Sequence, residues 1–313
     1  MDVISISAKA ILPLFAYMAL GYICKLQKLL NKTTAKELNV LCFKYFLSTY
    51  SAYTIYKADL KNDIDAGPVL FVVISLVSVF LISWFVVTRF EKDSKTIPTI
   101  IQGIYKSNFA ILGVPIVASL SGGKEMGIVS VIMAAVVPVN NFLSAYIFER
   151  YTGKASSKLD LIKKILKNPL ILGSLIGLGL NIIKFPIPTW IQTDIIAKIG
   201  GLTTPMSLIA LGASFEFAAV KKYAKKITWA TLGKLVFMPA VLIPTAILMG
   251  FRSTNLLTIM VFACAPNAVN SYSTAVALGG DADLANEIVV MSSLFSLITM
   301  FAWFCAVGFI VGF

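Results

Sequence analysis

The sequence predicts an all-α polytopic membrane protein, and three observations carry that prediction. Mean hydropathy is +0.85. Only 13 % of residues are charged while 58 % are hydrophobic, against about 25 % charged in soluble domains. The apolar residues fall in runs of about 20, the length a helix needs to cross a bilayer. No Gly/Ser linker or low-complexity tract marks off a separate soluble domain.

Ten spans are expected, near residues 5–23, 35–56, 67–88, 98–120, 126–148, 168–184, 195–215, 226–250, 254–278 and 284–311. Spans two and seven are the least hydrophobic. The N-terminal stretch lacks a basic start and a small-residue cleavage site, so it reads as a retained first helix rather than a signal peptide. Loops after the odd spans hold seventeen Lys and Arg, those after the even spans six. Basic loops stay cytoplasmic, which puts both termini outside a plasma membrane of bacterial, inner-membrane type. The loop after span nine, with Asp281 and Asp283 and no base, gives that orientation no support by itself.

The long basic loop from Glu149 to Lys167 reads as a topology anchor near the middle of the chain. It divides a first five-helix repeat, 1–150, from a second, 168–313, with 151–167 as a cytosolic linker. Pro13 and Gly21 match Pro169 and Gly177 at an offset of 156, and Gly122-Gly123 match Gly279-Gly280 at 157. Five spans per half is an odd number, so the second half would enter the membrane from the opposite side. Such a 5+5 inverted repeat places substrate near the midplane, at discontinuous helices.

Span nine supplies the strongest sign of a discontinuity, ACAPNAVNSYSTAVALGG at 263–280. Proline removes a backbone donor and frees a carbonyl one turn earlier, and in lipid a freed group costs several kcal/mol unless protein or a water-filled cavity satisfies it. Span four has a looser counterpart, Asn108 followed by Gly113 and Pro115. Two helices broken near the midplane would aim two positive N-termini with free N–H groups at one cavity, which suits a carboxylate. The substrate-binding candidates are therefore Asn108, Pro115, Pro266, Asn267 and Asn270. Asn140 and Asn141, after Pro138 in span five, either line the same cavity or bond a neighbouring helix.

Four lysines lie more than three residues inside a span: Lys9, Lys44, Lys106 and Lys234. Lys106, two residues before Asn108, stands nearest the site. Lys234 could attract an anion or pair with Glu216. No acidic residue lies in the middle of a span. Glu216 and Glu287, near helix ends, are the candidates for proton or sodium coupling. A missing mid-span carboxylate favours an anionic or neutral substrate over a cationic one. Ser292, Ser293 and Ser296 read as allowing close packing, as does TTPMSLIALGASF in span seven.

Other chemistry is excluded by what the chain lacks. It contains no histidine, and its four cysteines form no CxxC pair, so no metal site or other cofactor is expected. No nucleophile–base set points to an enzyme. The net charge of +12 sits in short loops without the interleaved aromatics that single-stranded nucleic acid requires, so nucleic acid is not an expected partner.

NFAILGVPI at 108–116, NPLILGSLIGLGL at 168–180, TTPMSLIALGAS at 203–214 and APNAVNSY at 265–272 together resemble the auxin efflux carrier family, in its bacterial, malate-permease-like branch. The resemblance covers most of the chain. It implies ten helices in a five-plus-five inverted repeat with broken, crossing helices four and nine. It also implies an elevator exchange, with spans one, two, six and seven as scaffold and the remainder as transport domain. Plant members place a proline–asparagine pair at each crossover; here span nine keeps Pro266-Asn267, while span four has Ser107-Asn108. The long cytosolic loop of plant carriers is missing.

The expected function is secondary transport of a small organic anion such as malate. An indole- or aryl-acid carrier, or a membrane sensor that binds without transporting, are the alternatives. Substrate identity, coupling ion, direction and oligomeric state, a homodimer included, are not fixed by the sequence.

Overall fold

The computed structural model of the chain describes residues 3–57, 66–109, 116–117, 126–153, 163, 166–215 and 217–311. Helix falls within each of the ten predicted windows, and the protein is an all-α polytopic membrane protein. Among the described residues, the one β-type pairing is an antiparallel bridge between Ser107 and Asn267.

Four helices among those residues are long and apolar enough to cross a membrane: Ala66–Phe90, Val131–Tyr151, Ile191–Ser214 and Val220–Leu248. Ala282–Ser296 with Ile298–Gly308 makes a fifth if the bent pair is one span. Shorter apolar helices lie at Ala16–Leu26, Ile171–Ile182 and Ser253–Cys264. The ten-span count itself therefore remains an inference from hydropathy.

Span three shows how a helix in lipid divides its surface. Val72, Leu76, Phe80, Ser83 and Val87 are buried at helical spacing. Leu70, Ile74, Leu81 and Phe85 are just as apolar and lie exposed. An apolar exposed face has no stabilising role in water, but it matches hydrocarbon.

Local chemistry fixes the helix ends outside the membrane. Asn31 accepts from the Thr34 amide at 2.9 Å, and Asp93 accepts from the Thr96 amide at 2.8 Å, each satisfying a donor that helix geometry leaves orphaned. The Thr96 hydroxyl and amide hold the Asp93 carboxyl below the usual carboxylate range. Asp281 does the same for span ten, accepting from Leu284 N at 3.0 Å. Its own amide donates to the Lys95 carbonyl at 3.1 Å. The starts of spans four and ten are thereby tied together. Span nine ends at Gly279, whose φ of 77° is the left-handed turn that glycine adopts without penalty.

Spans one and seven, and spans two and six, approach to backbone contact. A Cβ at Gly21 would overlap the Ile209 carbonyl oxygen, and one at Gly177 would overlap that of Ala52. Small residues permit such approach where no hydrophobic force drives helices together. An offset of 156 carries Gly21 onto Gly177, so the two matched glycines perform the same task in two different helix pairs.

Span two runs through a π-helical turn at Cys42–Phe46, as spans seven and eight do at Ile191–Ile196 and Gly233–Phe237. In the first of these, the phase shift buries Cys42 and Phe43 while leaving Lys44 and Tyr45 exposed. Gly21→Leu and Gly177→Leu should each lower the melting temperature in detergent by more than a routine core overpacking, which costs about 1–3 kcal/mol, because backbone rather than a side chain must give way.

Candidate functional site

Spans four and nine both break, and they break against each other. Helix Thr96–Tyr105 stops at Lys106, which is extended. Helix Ser253–Cys264 stops at Ala265, also extended, and helix resumes at Asn270–Leu278. The Asn108 amide donates to the Pro266 carbonyl at 2.8 Å, and the Ala268 amide to the Lys106 carbonyl at 3.2 Å.

Side chains satisfy groups that the breaks release. Pro266 has no N–H, so the Phe262 carbonyl four residues earlier loses its helical donor. The Ser107 hydroxyl takes that place at 2.7 Å. The Asn267 amide nitrogen donates to the carbonyls of Gln102, Gly103 and Lys106 at 2.9, 3.1 and 3.3 Å, closing the end of span four's first helix. The Asn267 backbone amide donates to Ser292 Oγ at 3.1 Å, so Ser292 has a polar task as well as a small size.

A central cavity of about 60 Å3, partly continuous with the exterior, opens beside this crossing. Lys106, Ser107 and Asn108 border it from span four, and Ala268, Val269 and Asn270 from span nine. Asn140 and Asn141 face it from span five. The opposite wall comes from Tyr50 and Ser51 of span two and from Thr203, Thr204 and Ser207 of span seven.

Lys106 is the one charged residue on this lining among the described residues and is only 2 % exposed. Its Nζ donates to Thr274 Oγ1 at 3.4 Å. The neighbours of Gln102 orient that amide so that its oxygen accepts from Lys106 Nζ at 3.2 Å and its nitrogen donates to the Ser271 carbonyl at 3.1 Å. Both partners of the lysine are neutral, and no carboxylate pairs with it among the described residues. Buried Asn108 Nδ2 and Asn140 Oδ1 have no hydrogen-bond partner there either, nor does Asn270 Oδ1.

The sequence candidates thus separate into groups. Lys106, Asn108, Asn140, Asn141 and Asn270 gather around the cavity. Asn141 also bonds neighbouring helices, donating to Ser51 Oγ at 2.8 Å and Ser174 Oγ at 3.0 Å. Pro266 and Asn267 are buried in the crossing and are not among the lining residues, and the Asn267 amide is engaged by carbonyls. Glu287 is wholly buried in span ten, with Asn286 Nδ2 donating to it at 3.1 Å. Lys234 is wholly buried too, its Nζ 3.1 Å from Met238 Sδ and 5.9 Å from the Phe262 ring centre. Pro115 and Glu216 lie outside the described residues, as does the side chain of Lys9.

Sequence reasoning missed Tyr50, Ser51, Thr203, Thr204 and Ser207. Span seven does pack closely, at Ile209, but one turn away its hydroxyls face the cavity. The grouping of TTPMS hydroxyls at the start of the span was the available signal.

A broken-helix crossing beside a buried polar cavity, inside an apolar helical body, defines a membrane transporter. The family model described as membrane transport protein matches residues 6–158 and 154–304, and the chain belongs to that family, the auxin efflux carrier family. An uncharacterized transporter of Methanothermobacter thermautotrophicus is 24 % identical over 300 residues, covering 95 % of this chain and 97 % of its own. The uncharacterized transporter YfdV of Escherichia coli K12 is 25 % identical over 270 residues, covering 82 % and 84 %.

Asn267→Ala should cost about 1–3 kcal/mol through the Gly103 carbonyl, read as a lowered melting temperature, since the Gln102 and Lys106 carbonyls keep the amides of Lys106 and Ala268. Asn267→Asp should fall further, since a carboxylate would face the same carbonyl oxygens. Ser107→Ala should lose about 1–3 kcal/mol through the Phe262 carbonyl.

Proposed function

We propose that the chain is a secondary active transporter of a small organic anion, a carboxylate of about the size of malate. The observation that carries this reading is Lys106, a buried amine on the cavity wall whose partners are neutral. A buried ionisable group in a membrane is costly and usually serves a site. An incoming carboxylate supplies the opposite charge that the protein withholds.

Asn108 Nδ2 adds a neutral donor beside the amine, and the helix that starts at Asn270 turns its positive end toward the same space. Neutral donors hold an anion loosely enough for release. The cavity wall supports an elevator reading, in which spans one, two, six and seven stand still while three to five and eight to ten carry the ligand. Tyr50, Ser51, Thr203, Thr204 and Ser207 belong to the first group, and Lys106, Asn108, Asn140 and Asn270 to the second. The ligand would sit on the boundary between a fixed wall and a moving one. Glu287, buried in the moving group, is the candidate for proton or sodium coupling.

The test is uptake of labelled carboxylates into liposomes carrying the purified protein. Lys106→Met should reduce uptake at least tenfold, the effect of losing one charge-assisted hydrogen bond of about 1.5–3 kcal/mol. Unchanged uptake by Lys106→Met and Asn108→Ala would remove the cavity from the mechanism. If Glu287 carries the coupling proton, Glu287→Gln should flatten the dependence of uptake on the transmembrane pH gradient, whereas wild-type steepness in that variant assigns coupling elsewhere.

A further inference from the structure

The cavity's unpartnered groups describe the ligand more closely than its charge does. We infer that the ligand is a small hydroxy monocarboxylate, with one carboxylate and a hydroxyl a few atoms away. The inference rests on the reading of the cavity as a carboxylate site.

The charge inventory limits the ligand to a single carboxylate. Among the described residues Lys106 is the one cationic side chain on the lining, and the other polar side chains there are neutral amides and hydroxyls. A second carboxylate would be buried without a counter-charge among the described residues, and a buried unpaired charge is strongly unfavourable. It would also face the oxygens of Asn140 and Asn270, and an amide oxygen repels an anion.

Those same oxygens require a donor. Asn140 is 7 % exposed, and its Oδ1 has no donor among the described residues; neither has Asn270 Oδ1. On the other side of the ledger, Asn108 is 2 % exposed and its Nδ2 has no acceptor there. A carboxylate oxygen satisfies Asn108 and Lys106 together. A hydroxyl on the same molecule donates to Asn140 or Asn270 and can accept from Thr203 Oγ1, which also lacks a partner among the described residues. An ammonium group would donate as well, but among the described residues no acidic side chain lines the cavity to balance it. Leu47 and Val137 leave the remaining wall suited to a short carbon chain.

The experiment is counterflow of labelled L-lactate in proteoliposomes, competed by unlabelled lactate, propionate, malate and succinate. Lactate should compete best. Propionate, which lacks only the hydroxyl, should be about tenfold weaker or worse, the loss expected when buried amide oxygens stay unpaired. Malate and succinate should be weaker than lactate because of their second charge. Propionate equal to lactate overturns the hydroxyl contact, and malate or succinate ahead of lactate overturns the single charge, while the carboxylate reading survives both. If none of the four competes, the carboxylate reading falls too. Asn140→Leu combined with Asn270→Leu should bring the lactate-to-propionate ratio close to one; an unchanged ratio assigns those amides to structure and sinks the inference. The competition series on the wild-type protein decides the matter even where that double variant fails to fold.

Discussion

One missing hydrogen sets the arrangement of the centre. Pro266 cannot donate, so the Phe262 carbonyl needs another donor inside an apolar body. Ser107 supplies it from the other broken helix. In return, the end of span four's helix receives the amide of Asn267 on three carbonyls. Each break satisfies groups that the other exposes, and neither would be tolerable alone at membrane depth. The bridge between Lys106–Asn108 and Pro266–Ala268 follows from that exchange. The cavity beside it follows in turn, because an extended segment cannot fill the volume a helix would.

The departure of span four from the proline–asparagine pair of plant carriers has a physical reason in this geometry. A proline at position 107 would offer no hydroxyl to the Phe262 carbonyl. Serine keeps the chain free to leave the helix while contributing a donor of its own. A residue that looks like a lapse from the family pattern thus completes the crossing.

Much of this was legible in the sequence, and what was not has definable causes. Hydropathy runs and the clustering of proline and amides at 266–270 are local signals, so the helical class and both breaks could be read directly. Lys106 stood out because a lysine inside an apolar run is conspicuous. Tyr50 and Thr203 did not, because hydroxyl-bearing residues are common in membrane helices and only assembly shows which of them face a void. The structural engagement of Asn267 was hidden for the opposite reason. Its amide was visible, but the carbonyls that engage it come from residues 161 to 165 positions earlier, and spacing along a chain carries no record of such partners. The small residues of span seven were read as a packing face, which holds at Ile209 against Gly21 and fails one turn earlier, where the hydroxyls line the cavity.

The mutual dependence of the two breaks also bears on how the protein is made. Span four leaves the ribosome some 155 to 165 residues ahead of the groups that complete it. Until span nine arrives, the carbonyls of Gln102 and Gly103 lack their Asn267 donor, and the Ser107 hydroxyl lacks its acceptor. The end of the early helix is therefore completed only when the later one is present. Contacts so distant in sequence are slow to form, so the crossing couples the completion of the first half of the chain to the arrival of the second.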